Sequence, residues 1–137
     1  MPTPSVNFAF LAAHDAALVG YAAEAEAVFR EHPRVCVANL RTLVEALAKH
    51  AAAYAGVYVA EREELGLLLG RLRDRSVIDA QIGSLFRVLR EAGNEAVHVG
   101  TPDRPTRAVT HAEALKLLRL ARELAVWFHK SFKEAAF

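Results

Sequence analysis

The sequence predicts an all-α, single-domain bundle of about five helices, with an arm over residues 1–14 and the bundle over residues 15–134. Three observations lead there. The chain has 137 residues, 53% of them apolar, and much of that is alanine and leucine, the strongest helix formers. Apolar residues recur at spacings of three and four through five separate segments. The one short β-branched run, Val57-Tyr58-Val59, is too isolated to build a sheet and reads as a connector. At this length folding buries roughly two-thirds of the unfolded surface, enough for a self-sufficient core.

Taken in order, the arm carries Phe8, Phe10 and Leu11, which dock it on the helical body. Asp15 is the expected N-cap of a first helix running to about Glu31, with Leu18, Tyr21, Ala22, Ala25 and Phe29 on one face. Pro33 ends that helix and suits the first turn of the next. The second helix, about Pro33 to Ala55, turns Leu40, Leu43, Val44, Leu47 and Ala51 inward, and Gly56 is a natural stop. A third helix covers about Arg62 to Arg73, with Leu65, Leu68, Leu69 and Leu72 inward. Ser76, with Asp79 three residues on, is the expected cap of a fourth helix that buries Ile82, Leu85, Phe86 and Leu89 and reaches Gly93 or beyond. Gly100, Pro102, Asp103 and Pro105 make Val99 to Val109 a loop. Thr110 and Glu113 form a capping box for the last helix, which runs to about Phe132 with Ala114, Leu117, Leu118, Ala121, Leu124, Ala125 and Phe128 inward. Trp127, among apolar neighbours, is read as buried.

The charge balance of 17 basic against 16 acidic residues, net +1, excludes a broad electrostatic footprint for nucleic acid but leaves room for a local patch. The single cysteine, Cys36, has no partner for an intramolecular disulfide and reads as a core residue in a reducing compartment. The first residues lack the pattern of a signal peptide, and no stretch reaches the roughly 18 apolar residues of a membrane span. A cytoplasmic setting is expected.

The stretch from Leu89 to His98 is the most informative for chemistry. Asn94 and His98 stand four apart and share a face if the helix continues past Gly93. There they could bind a phosphate, with His98 as a general acid or base. Equally, His98 caps the helix end and Asn94 satisfies backbone. No second histidine sits at ligand spacing from His98, so no metal is expected. His111 and His129 lie far apart on the last helix, and His14, His32 and His50 fall near helix ends, where surface roles are expected. There is no nucleophile elbow and no Gly-rich phosphate loop, so a nucleotide-hydrolysing motor does not reside here and no cofactor is expected. Arg71, Arg73, Arg75 and Arg87, with Arg90, are candidates for DNA or RNA phosphates, against a reading in which Asp74, Asp79, Glu91 and Glu95 pair them off. Arg41 and Glu45 are either a surface pair or a contact reaching toward Asn94 and His98.

Several segments together resemble a known family. Asn7-Phe8-Ala9-Phe10-Leu11, the run from Leu40 to Lys49, the run Leu85-Phe86-Arg87-Val88-Leu89-Arg90 leading into Gly93-Asn94-Glu95-Ala96-Val97-His98, and Leu124-Ala125-Val126-Trp127-Phe128 are similar to the N-terminal helical domain of type I restriction endonuclease R subunits. The likeness runs over about residues 7 to 132. It implies a noncatalytic interaction or regulatory domain within a restriction-modification system for phage defence. The implied partners are the remainder of the R subunit, with its nuclease and helicase motor, and the modification and specificity subunits. The same family resembles, more distantly, the HEPN superfamily, which implies a HEPN-like bundle and, as an alternative, a homodimeric ribonuclease or toxin with candidate residues His98, Asn94 and Arg90. The chain departs from that motif: Arg90 is followed by Glu91, and seven residues separate it from His98.

Overall fold

The computed structural model describes residues 5–98, 100–106 and 108–134. It is helical throughout, with no strand among the described residues. A 3-10 turn, Ala9–Ala13, is followed by α1 (Ala16–Val28), α2 (Pro33–Tyr54), α3 (Leu65–Asp74), α4 (Ala80–Val97) and α5 (His111–Phe132). The all-α bundle of five helices is what the periodicity predicts.

Four of the five helix starts have a local cause. The Asp15 side chain accepts from the Ala17 amide at 2.9 Å, and the Thr110 side chain accepts from the Glu113 amide at 3.1 Å. Both satisfy amides that the first turn leaves without partners. Pro33 opens α2, where its missing N–H costs nothing. Gly56 (φ 74°) ends α2, and the Val57 amide returns to the Ala52 carbonyl at 2.8 Å to close the turn.

Three boundaries depart from expectation. α3 begins at Leu65, three residues after Arg62. α1 stops at Val28, three residues before Glu31, and a turn over 29–31 leads to His32, which Pro33 biases away from helix. Ser76 is not the cap of α4. It takes a left-handed conformation (φ 59°) just past α3, where the Val77 amide reaches the Leu72 carbonyl at 2.9 Å. The α4 cap is Asp79, which accepts from the Ile82 amide at 2.8 Å.

α2 is the axis of the bundle and packs on α1, α3, α4 and α5. Four neighbours need more than a narrow stripe, so Cys36, Val37, Ala48 and Ala52 are buried beside the predicted Leu40, Leu43, Val44, Leu47 and Ala51. Leu65, Leu68, Leu69 and Leu72 of α3, and Phe86, Leu89, Leu118, Leu124 and Phe128, close the core as predicted. Ile82, Leu85 and Leu117 are only half-buried, at its margin. Trp127 is also half-buried rather than buried, edge-on to Phe86 and Phe132. Phe8 and Leu11 of the arm are fully buried, each contributing about 2–3 kcal/mol of apolar burial. Ser5 and Asn7 tie the arm to Glu26 of α1, Asn7 Nδ2 at 2.8 Å. The first four residues of the predicted arm, and Val99 and Arg107 of the predicted loop, lie outside the described residues. In the rest of that loop, Thr101 and Arg104 exchange backbone hydrogen bonds, and Arg104 reaches Glu95 of α4 at 2.6 Å. Among the described helices none is long and apolar enough to cross a membrane.

Candidate functional site

Two polar clusters border α2. The first is the seam with α4, where the sequence places its chemistry. α4 runs on past Gly93 to Val97, as the Asn94–His98 reading requires. Gly93 is buried against α2: a Cβ there would lie 2.4 Å from the Arg41 Cβ and 2.8 Å from its Cγ. Glycine is what lets the two helices approach so closely. Arg41 Nε then donates to Asn94 Oδ1 at 2.7 Å, and its Nη1 lies 3.5 Å from Glu45, which Lys49 also approaches at 3.2 Å. Both readings of Arg41 hold in part: it pairs with Glu45 one turn on, and it reaches Asn94 across the seam, though not His98.

His98 does not join that pair. It is the residue that ends α4, with extended backbone (ψ 128°), so the helical spacing that would align it with Asn94 no longer applies. Its Nε2 is enclosed, without a hydrogen-bond partner among the described residues. Its carbonyl is held instead by Arg34, Nη2 donating at 3.0 Å, while Arg34 Nε donates to the Ala96 carbonyl. A cation bonded to the last carbonyls of a helix offsets both their missing partners and the negative end of the helix dipole. Arg34 escaped the sequence reading, since nothing in its own neighbourhood points across to α4. Gly93 did carry a signal, because a mid-helix glycine costs about 1 kcal/mol and so tends to have a packing reason.

Arg90 turns the other way, onto α3, where a side-chain carbon at Gly66 would lie 3.4 Å from its Nη1. Its Nε is buried without a partner among the described residues. The candidate triplet His98, Asn94 and Arg90 therefore does not converge on one point. An open groove of about 490 Å³ runs beside it, lined by Val88, Glu91, Ala92, Asn94 and Glu95. A neighbouring hollow continues the groove over Lys116 and Leu117 of α5.

The candidate phosphate-binding arginines divide. Arg71 is half-buried and forms a two-pronged pair with Glu63, Nη1 at 2.6 Å, while its Nε donates to the Val57 carbonyl at 3.0 Å. It is a strut that fixes the α2–α3 connector, and its guanidinium is fully engaged. Arg73, Arg75 and Arg87 are exposed. The pairing expected from Asp74, Asp79, Glu91 and Glu95 does not form: among the described residues none of the three arginines has an ion pair, Asp79 caps α4, and Glu95 holds Arg104.

The second cluster was not expected. His14 and His50 are not free surface groups. His14 Nε2 lies 3.0 Å from His129 Nδ1 on α5, and His14 Nδ1 lies 3.2 Å from the Tyr54 hydroxyl on α2. His50 Nε2 lies 3.3 Å from Asp15, and its Nδ1 lies 2.8 Å from the Ala46 carbonyl. The rings pack around buried Phe128, with the His14 centroid 4.7 Å away. Burial first, and then the His129 and His50 charges, hold His14 below its usual 6.5. Among the described residues no three His, Cys, Asp or Glu side chains are grouped to hold a metal ion. Cys36 is buried as predicted, and burial pushes its thiol up to about 11, far from a reactive nucleophile at neutral pH.

Comparison with known proteins places this arrangement. The chain is 31% identical over 124 residues to the type I restriction enzyme EcoKI endonuclease subunit of Escherichia coli K12. That match takes in 90% of the chain but only 10% of the relative, so the chain spans about a tenth of that protein's length. No solved structure matches it. A family model described as a domain of unknown function, DUF4145, matches residues 23–126, from within α1 to within α5 and across the whole α2–α4 seam. The chain belongs to the DUF4145 family.

Proposed function

We propose that this chain is a noncatalytic helical docking domain in a type I restriction system, binding the endonuclease subunit or its modification and specificity partners. The observation that carries the reading is the 31% identity along 90% of the chain to a tenth of a restriction endonuclease subunit. The seam agrees with it. Asn94 is held by Arg41, His98 Nε2 is enclosed, and Arg90 faces α3, so the three groups are not presented together to a substrate. This also weighs against the HEPN-like ribonuclease alternative. The groove over Val88, Ala92 and Leu117, with Val88 40% exposed, gives a partner an apolar foothold.

The test is co-purification of the tagged chain with the separate subunits of a type I restriction complex. Val88→Asp is expected to weaken capture by at least about tenfold while leaving the helical circular dichroism unchanged. Absence of binding to every subunit at tens of micromolar, or RNA cleavage that disappears in His98→Ala, would overturn the reading.

A second reading, nucleic-acid contact, is favoured by the exposed and unpaired Arg73, Arg75 and Arg87. It predicts affinity for labelled DNA or RNA that falls steeply with salt, and a shallower salt slope in the Arg73→Ala/Arg87→Ala double variant. Binding that ignores both salt and the substitutions would remove it.

A further inference from the structure

Three imidazoles meet where the arm, α1, α2 and α5 join, and the docking function gives them no task. His14 closes the 3-10 turn of the arm, Tyr54 and His50 come from α2, and His129 comes from α5. Two of the rings are in direct hydrogen-bond contact, His14 Nε2 to His129 Nδ1 at 3.0 Å. Such a contact requires one nitrogen to donate and the other to accept. The pair therefore accommodates one proton between those nitrogens and cannot accommodate two. If both rings become imidazolium, two N–H groups and two positive charges face each other across that distance.

We propose that the Tyr54–His14–His129 chain is a proton-operated latch, which fastens the arm to α2 and α5 while the imidazoles share one proton and loosens it when both are charged. The other groups around it do not cancel this repulsion. The 3-10 turn itself contributes no charge. α1 contributes Asp15, which lies against His50 rather than against the His14–His129 contact. α2 contributes Tyr54, His50, and the Glu45–Lys49 pair, which with Glu61 of the connector lines the groove beside His50. α5 contributes His129. Among the described residues no lysine or arginine is hydrogen-bonded to any of the three rings.

The direction follows from the environment of His14. Burial and the two neighbouring imidazoles depress its pKa below 6.5 in the docked arm, so an undocked arm takes up its proton first. Docking is strongest above pH 6.5 and weakens as pH falls from there toward the lower docked value. Phe8 and Leu11 remain plugged into the core, so the latch governs the His14 end of the arm and leaves the bundle intact.

Amide hydrogen exchange between pH 7.5 and 5.5, above the usual carboxylate range, tests this on the whole chain. The amides of His14 and Asp15, both bonded to the Leu11 carbonyl, report the His14 end of the arm. Corrected for intrinsic exchange, their protection is expected to fall below pH 6.5 by up to about tenfold per pH unit, the limit for one proton. Amides in the middle of α2 should not follow. In His129→Gln the side-chain carbonyl accepts from His14 in either charge state, and the pH dependence should flatten. Unchanged protection of the two amides, a parallel loss throughout α2, or an undiminished pH dependence in His129→Gln would each overturn the latch. The imidazole 15N titration of the unaltered chain tests it without a variant. His14 is expected to titrate below its usual 6.5, and a His14 curve at or above that value would refute it.

Discussion

The two polar clusters on α2 answer the same problem with opposite chemistry. At the α2–α4 seam the groups are arginines, Arg41 on Asn94 and Arg34 on the carbonyls that end α4. Their charge is fixed across the accessible pH range and their acceptors do not ionise, so these two contacts are equally strong in acid and at neutrality. At the corner of the arm with α2 and α5 the groups are imidazoles, whose charge changes near neutral pH. The difference teaches where this fold is permanent and where it can respond. The seam joins two long helices of the core, whereas the corner holds a short arm that can loosen without exposing the rest.

Three substitutions would break or sharpen that contrast. Phe128→Ala should have the largest effect. Phe128 is fully buried beneath His14, His50, Tyr54 and Phe132, and its loss should cost about 3–5 kcal/mol in urea denaturation. A cost under about 1 kcal/mol would mean that the corner does not rest on that ring. Gly93→Ala comes next. A helix interior normally welcomes the change, by about 1 kcal/mol, but here the new Cβ meets Arg41 at 2.4 Å. Separation of the helices should dominate, with a net loss of about 1–3 kcal/mol visible as a lower Tm. A variant more stable than the parent would show that the seam is not closed by glycine. Arg34→Ala should be the mildest, about 1 kcal/mol, and the same at pH 5.5 and 7.5. If its cost changed between those two pH values, the division into a fixed seam and a titrating corner would fail.

The candidate site was only partly legible, and the reason lies in how each contact is built. The helices announced themselves through local period and capping. Arg41 could be suspected of reaching Asn94 because both lie on strongly patterned helices. That His98 Nε2 would be enclosed was hidden, since the helix ends at Val97 and helical spacing no longer places the next side chain. Ser76 misled because a serine before an acidic residue looks the same whether it caps a following helix or terminates the preceding one. Exposed Arg73 and engaged Arg71 are likewise neighbours in the chain with different fates, decided by Glu63 and the Val57 carbonyl lying on one side of α3 alone.

By itself the sequence determined the five helices, the leucine and alanine faces that pack them, the burial of Cys36 and the resemblance that points toward restriction systems. These rest on interactions within a few residues, or on the average preference of apolar groups to leave water. Only the tertiary structure decided that Gly93 admits Arg41, that Arg34 holds the end of α4, and that His14 meets His129, 115 residues away. Such contacts depend on the angle and depth at which whole helices cross. Those follow from the packing of all the side chains at once, and no local pattern records them.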